Sequence, residues 1–374
     1  MKIPLSSPDI TDSEIEAVTA VLRTSRLSLG PQMEAFEHTL AEYVGVPHAI
    51  AVSSGTAGLH LCIKALGIGE GDEVIVPSFT FIAAANAIRY ERAQAVFVDI
   101  DAEALNMSPA SIEQAITPKT RAILVVHTFG RPAEMAAIME IASRHRLLVI
   151  EDACEAIGAT YQGRKAGSFG DAAVFAFYPN KQITTGEGGM VVTRQPELAE
   201  RIRALRNQGR YDSTDWLQHS EVGYNYRLSE INCALGLAQL QRIESILQQR
   251  EKAARQYQHA LAKVSGLVLP AIDVPNTRIS WFVYVVRLDA SLTEADRDSI
   301  AATLTNAGIG CGRYFAPIHL QPSYTAWRNS ATLPVTEAES SRTIALPFFN
   351  RITEDGIAQV SGTLRTALLR IQNR

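Results

Sequence analysis

The chain has 374 residues, 47% of them hydrophobic and 20% charged. That composition excludes a mainly disordered chain, because ample apolar side chain is available to bury. At about 150 residues per domain the length predicts two domains, or one large domain with an appendage. Lysine and arginine number 35 against 39 aspartates and glutamates, a net charge of -4, so no basic excess is present to neutralise a nucleic-acid backbone.

The four cysteines, Cys62, Cys154, Cys233 and Cys311, lie far apart and form no C-x-x-C pair. They predict reduced thiols, with neither a disulfide framework nor a metal site. No apolar run approaches the roughly 18 residues of a membrane span, and the N-terminal residues are polar where a secretion signal would be apolar. A soluble cytoplasmic protein is expected.

In chain order, residues 8–24 (PDITDSEIEAVTAVLRT) predict a helix capped by Thr11 or Asp12, with Glu14 in its first turn. Short β-rich runs follow at 48–54, 72–78, 94–100, 121–128, 146–152, 171–177 and 189–193, with helix-like stretches such as 57–66 and 134–145 between them. This alternation predicts βαβ units around a mostly parallel sheet. The near-continuous apolar character of several runs predicts helices on both sheet faces. One long helical pattern covers about 229–262. The texture then changes: 281–288 reads as a strand, 291–308 as a capped helix ending at Gly308, and 340–349 leads to a last helix. The glycine clusters GIGEG (67–71) and GIGCG (308–312) each follow a helix, the reverse of a dinucleotide-binding fingerprint, and read as turns.

Four segments converge if each sits at the carboxyl edge of one parallel sheet, where open α/β folds bind ligands. Ser54-Gly55-Thr56 lies between a strand and a helix. It combines hydroxyls, a glycine that permits close approach and helix N–H groups able to meet an anion, although it reads equally as a simple N-cap. Glu151-Asp152 ends an apolar strand, where a carboxylate needs a positive partner such as a protonated pyridine nitrogen. Lys181 follows a buried strand, and a lysine that can lose its proton in a protected site forms a Schiff base. The polar and aromatic run 221–228 precedes the long helix. Together these parts offer a phosphate cradle, a carboxylate for a ring nitrogen and an amine, which are the requirements of pyridoxal 5'-phosphate.

The ordered segments SSGTAGLHL, GDEVIVPSFTFIAAANAI, VIEDACEAIGA, GSFGDAAVFAFYPNKQITTGEGGM, LRNQGR and EVGYNYRLSEINCALG resemble the DegT/DnrJ/EryC1/StrS family of sugar aminotransferases, over nearly the whole chain. The resemblance implies an α/β fold of the aspartate-aminotransferase type (fold type I), with a mostly parallel mixed sheet in a large domain and a small α+β C-terminal domain. The expected division is an N-terminal arm at 1–25, the large domain at 26–245 and the small one at 246–374. By position, Lys181 resembles the Schiff-base lysine and Asp152 the partner of the ring nitrogen, while Gly55 and Thr56 match the phosphate-binding turn. Phe81 falls where an aromatic ring meets the cofactor face. Asn225 matches the residue that reaches the phosphate from a neighbouring subunit, which implies a homodimer with shared sites. Arg227, Tyr314 and His319 fall on the substrate side. Many members carry glutamine where Glu155 stands, against the cofactor's ring oxygen, and serine where Ala176 stands; the glutamate resembles perosamine-synthase-like sequences. The implied activity is transfer of an amino group from L-glutamate to a nucleotide-linked 4-keto-6-deoxysugar in surface-polysaccharide biosynthesis. The rivals are a 3-keto-sugar or keto-cyclitol aminotransferase, and a non-catalytic DNA-binding regulator, against which the acidic balance argues.

Overall fold

Thr11 opens the first helix, α1 (Asp12–Leu22), by donating its backbone N–H and hydroxyl to the carboxylate of Glu14. A second helix, α2 (Pro31–Val44), begins at a proline and ends on Gly45 in the left-handed region, φ 83°. In the computed structural model, which describes residues 2–212, 215, 217–327 and 332–373, the β-rich runs then become strands. They are β1 (His48–Val52), β2 (Glu73–Pro77), β3 (Gln94–Val98), β4 (Thr120–Val126), β5 (Leu148–Asp152), the short hairpin β6 (Thr160–Tyr161) and β7 (Arg164–Lys165), then β8 (Ala172–Ala176) and β9 (Gly189–Thr193).

Seven of these form one sheet in the order β1-β9-β8-β5-β4-β2-β3. All neighbours pair in parallel except β9, which is antiparallel to both β1 and β8. The connections carry α3 (Gly55–Ala65), α4 (Ala83–Tyr90), α5 (Pro109–Ala115) and α6 (Met135–His145), with α7 (Pro196–Arg206) following β9. Alternation along each strand explains the apolar runs. On β1, Ile50 and Val52 join one core with Leu59, Leu61 and Ile63 of α3. Ala49 and Ala51 join the opposite core with Phe36 and Leu40 of α2. Both faces are covered, so both alternating sets are apolar.

The long helical pattern is two helices, α8 (Glu230–Gln241) and α9 (Ile243–Leu261), parted at Arg242. There the Arg242 N–H closes onto Gln239 O, three residues back. Its guanidinium is drawn to Asp9 and Glu14, a tertiary demand that helical periodicity does not reveal. α9 passes between cores: Ile246 and Leu247 pack with the large sheet, whereas Ala253, Ala254 and Tyr257 pack with the C-terminal elements. That second core lies on β10 (Leu267–Val268), β12 (Tyr284–Leu288) and β13 (Thr343–Leu346), a small antiparallel sheet, with α10 (Glu294–Asn306) and α12 (Glu354–Gln372) against it. Short β11 (Thr277–Arg278) instead extends the β6–β7 hairpin, and α11 (Pro334–Arg342) precedes β13. The apolar run in 340–349 is therefore a strand, paired with β12.

The N-terminal segment touches both units. Ile3 bridges Ile309 and is buried in the second core, whereas Asp9 and Glu14 are tied to Arg242. GIGEG is the turn between α3 and β2, and Gly308 ends α10 with φ 75°. Among the described residues all four cysteines are free and no helix is long and apolar enough to cross a membrane.

Candidate active site

The carboxyl ends of β1, β5 and β8 bring three of the four sequence segments together. At β1, Ser54 caps α3 by accepting from the Ala57 N–H at 3.1 Å. The N–H groups of Gly55 and Thr56 begin the helix, outside its own ladder, and are free to meet an anion. Gly55 is a packing requirement as well: a Cβ there would lie 2.8 Å from the Ala176 methyl and 2.9 Å from Cys154 Sγ. β9 passes equally close, since a Cβ on Gly189 would lie 2.6 Å from the Ser54 carbonyl. The turn is thus held tight by two glycines and by the small residue at 176.

At the end of β5 the adjacent carboxylates part company. Glu151 is fully buried and accepts from the N–H groups of Gly167, Phe169 and Gly170 at 2.7–2.8 Å, and from His127 Nε2 at 3.0 Å. His127 Nδ1 accepts from Ala133 N, so its proton sits on Nε2. Burial alone would raise the Glu151 carboxyl, but the His127 and backbone donors outweigh it and hold the group below its ordinary range. Glu151 pins the turn into β8. Asp152 points to the other face, is 9% exposed, and accepts from Cys154 N at 3.1 Å.

Lys181 follows β8 in a turn closed by its own N–H on Tyr178 O. Its Nζ lies 3.4 Å from Glu155 Oε1 and 4.0 Å from the centroid of the Phe282 ring. Glu155 Oε2 accepts from the Phe129 N–H at 2.9 Å. Burial pushes the Glu155 carboxyl up; Lys181 and the Phe129 N–H oppose this, and the charge of Asp152 adds to it. Two carboxyls and one amine therefore share a nearly dry corner. A buried carboxyl pushed up beside an amine in this way marks a candidate site of proton chemistry.

Phe282 and Phe129 were not visible as site residues in the sequence. Both belong to an aromatic stack: Phe129 lies over Phe315 and Tyr314, and Tyr314 is parallel to Phe282 within 5°. Phe129 holds its N–H on Glu155 from a left-handed backbone, φ 57°, a conformation disfavoured for a bulky residue and sustained here by the stack. Tyr314 sits close enough to Glu155 for its phenol to be pushed up by burial and by that carboxyl.

The remaining expected residues divide. Phe81 follows β2 and is 63% exposed. Asn225 is exposed because its neighbours Tyr224 and Tyr226 turn inward, stacked on each other at 4.9 Å beside buried His60. Their backbones pair with Leu205, Arg206 and Ser53, and the alternation sends Asn225 outward. Arg227 donates to Asn207 Oδ1 at 2.9 Å. His319 is 2% exposed, with Nδ1 at 2.6 Å from Ser78 Oγ and Nε2 at 3.3 Å from Glu337. With both ring nitrogens engaged, it fastens the 317–320 turn to the end of β2.

The family model for the DegT/DnrJ/EryC1/StrS aminotransferase family matches residues 8–365. GDP-perosamine synthase of Caulobacter vibrioides is 41% identical over 370 residues, 98% of this chain and 99% of its own. Among solved structures, the aminotransferase TlmJ from Streptoalloteichus hindustanus superposes with a TM-score of 0.93 at 32% identity, covering 99% of this chain and all of that one. The PLP form of the sugar aminotransferase Spr1654 from Streptococcus pneumoniae, titled as putative, gives a TM-score of 0.94 at 28% identity, with 99% and 100% covered. On this match over nearly the whole chain, and with a lysine, carboxyls and a helix-opening glycine turn at one sheet edge, the chain belongs to the DegT/DnrJ/EryC1/StrS aminotransferase family.

Proposed function

We propose that the chain is a pyridoxal-phosphate-dependent aminotransferase that moves the amino group of L-glutamate to a nucleotide-linked 4-keto-6-deoxysugar, working as a homodimer with shared sites. The observation that carries this reading is the cluster of Lys181 Nζ, Glu155 and Asp152 around Cys154, against which Gly55 packs. When bound, pyridoxal phosphate supplies an electron-withdrawing ring that stabilises negative charge on the carbon that loses its proton.

The chain's own residues fit that group. The N–H groups of Gly55 and Thr56 hold the phosphate at the start of α3. Asp152 keeps a proton on the ring nitrogen, a partner that meets the needs of its own buried charge. Phe81 offers its exposed ring to one face. Glu155, pushed up by burial while Lys181 and the Phe129 N–H oppose it, stands where many family members carry glutamine and would meet the cofactor's ring oxygen. Lys181 Nζ would hold the cofactor and would take up and return the proton at the substrate carbon. Asn225, turned outward, reaches the phosphate of a second copy's site. Arg227 and Tyr314 contact the sugar nucleotide, whereas His319 acts at one remove by bracing the turn that leads to Phe81. The 4-keto substrate is supported by the full-length likeness to a GDP-perosamine synthase.

The purified protein, given pyridoxal phosphate and L-glutamate, should form 2-oxoglutarate in step with amination of a GDP-linked 4-keto-6-deoxyhexose. Turnover confined to a 3-keto sugar would overturn the substrate assignment, and failure to take up the cofactor would overturn the activity. For the shared sites, mixing Lys181→Ala and Asn225→Ala variants should restore activity that neither shows alone, toward about a quarter of wild type for random pairing at one intact site per mixed dimer. No recovery would argue for self-contained subunits.

A further inference from the structure

His60 lies on α3, about one turn beyond the Gly55–Thr56 pair that opens the helix, and is 5% exposed. Both of its ring nitrogens are engaged: Nε2 lies 2.8 Å from Glu91 Oε1 and Nδ1 lies 3.2 Å from the Tyr226 hydroxyl. Glu91, just after α4, also accepts from Lys64 Nζ and from the Tyr224 hydroxyl, each at 3.1 Å. Burial would raise the Glu91 carboxyl, but His60, Lys64 and Tyr224 hold it below its ordinary range, so it has no proton to give. Nε2 is therefore the donor to Glu91, and in the neutral ring Nδ1 accepts from Tyr226. The rings of Tyr224 and Tyr226 meet the imidazole edge-on, at 4.8 and 5.9 Å.

Between these two tyrosines stands Asn225, which is exposed. The backbone around it is tied on both sides. Tyr224 and Tyr226 donate their N–H groups to the carbonyls of Leu205 and Arg206, and the Tyr226 carbonyl accepts from the Ser53 N–H, at 2.7–3.0 Å. Those bonds fix where the segment runs. The imidazole, by taking both hydroxyl-bearing rings on one side, fixes which side chain is left to point outward. A histidine with every polar atom satisfied offers no free group for chemistry, and its effect is exerted through what it holds.

We propose that His60 is a positioning residue for the neighbouring subunit's cofactor site: it holds the Tyr224–Tyr226 pair, and through it Asn225, in the setting from which that asparagine meets the phosphate of a second copy. α3 then serves two sites, its first N–H groups the phosphate of its own subunit and His60 that of the other. This rests on the shared-site reading above, and the two fail in different ways. The test uses purified mixed dimers with one live site. One subunit carries Lys181→Ala, so the colour of lysine-bound pyridoxal phosphate and the turnover both report the site of its partner. Adding His60→Leu to the Lys181→Ala subunit should weaken pyridoxal phosphate binding at the live site about fivefold or more, the scale of one charge-assisted hydrogen bond to phosphate. At saturating cofactor kcat should return to within about twofold. Moving His60→Leu to the subunit that has the live site should leave its cofactor affinity within about twofold. His60→Gln, whose amide can donate to Glu91 and accept from Tyr226, should restore most of the loss. Tyr226→Phe, placed as His60→Leu was, should give a smaller loss of the same kind, and it carries the test if the leucine variant does not fold. No loss in the first arrangement, or an equal or larger loss in the second, marks a role confined to its own subunit and would overturn the proposal. Asn225→Ala in the first arrangement separates the two readings. If it too leaves the live site unchanged, the shared sites themselves fail and the proposal falls with them; if it weakens binding where His60→Leu does not, only the role of His60 fails.

Discussion

Two buried charge clusters in this protein use the same residue types to opposite ends. At the foot of the molecule, Arg242 donates to Asp9 Oδ2 at 2.8 Å and Glu14 Oε1 at 2.6 Å. Gln239 adds a bond to Glu14, and Arg351 takes Asp9 Oδ1 at 2.7 Å. Every charge there has a geometric partner. Burial would raise the Glu14 carboxyl, yet donors from Thr11, Arg242 and Gln239 hold it down to about 2. At the sheet edge, Glu155 has one backbone donor and a lysine at 3.4 Å, and burial wins, so its carboxyl is pushed up. The difference teaches how to tell the two kinds of cluster apart: saturated charges fasten elements together, and unsaturated ones are available for chemistry.

Four substitutions probe that contrast, the largest effect first. Lys181→Ala should lower amino transfer from L-glutamate by about a thousandfold or more, since it removes both the attachment point and the proton carrier. Its circular dichroism should match wild type. Substantial residual turnover would place the chemistry elsewhere. Arg242→Met does the reverse: it leaves Asp9 and Glu14 buried without their main partner and should cost roughly 2–4 kcal/mol in denaturant unfolding, with kcat of the folded fraction unchanged. A loss of kcat without a loss of stability would erase the distinction between the clusters.

The third concerns Glu155. Its folded pKa is raised, so the folded state holds the proton longer than the unfolded chain. The stability this gives is present below the ordinary value of 4.5 and is lost as pH rises through the raised value. Glu155→Gln removes that loss and should raise Tm near pH 7 by about 1–3 °C, with little change near pH 4. A fall in Tm at neutral pH would show that the ion pair with Lys181 dominates instead. The fourth has the opposite sign. Glu14, held at about 2, contributes stability above pH 4.5 that is lost as pH falls toward 2. Glu14→Gln should therefore flatten the acid limb of the unfolding curve over that window, in melts taken from pH 5 to 2.

Much of this was legible along the chain. The β-rich, near-continuous apolar runs located every strand of the large sheet, because strands buried on both faces are apolar on both alternating sets. The α1 start was readable from Thr11 and Glu14, since capping is local chemistry. The break at Arg242 was not, because it answers to carboxylates some 230 positions away. In the site, Lys181, Asp152 and Gly55 stood out by their residue type after or between strands. His319 was expected on the substrate side from the resemblance alone, and the fold buries it with both nitrogens engaged.

The sequence by itself determined the α/β class, the family and the residues that carry the amine and the carboxyls, because these depend on local periodicity and on motif order. The resemblance singled out Asp152, and the tertiary structure supplied the reason the two adjacent carboxylates differ: the pleat sends them to opposite faces, Glu151 to four matched donors and Asp152 to the Cys154 N–H. The fold also brought Phe282 to Lys181 and Phe129 to Glu155. A side chain's hydrogen-bond partners are set only in three dimensions, which is why Glu151, with four donors, is held below its ordinary range while Glu155 is pushed up by burial.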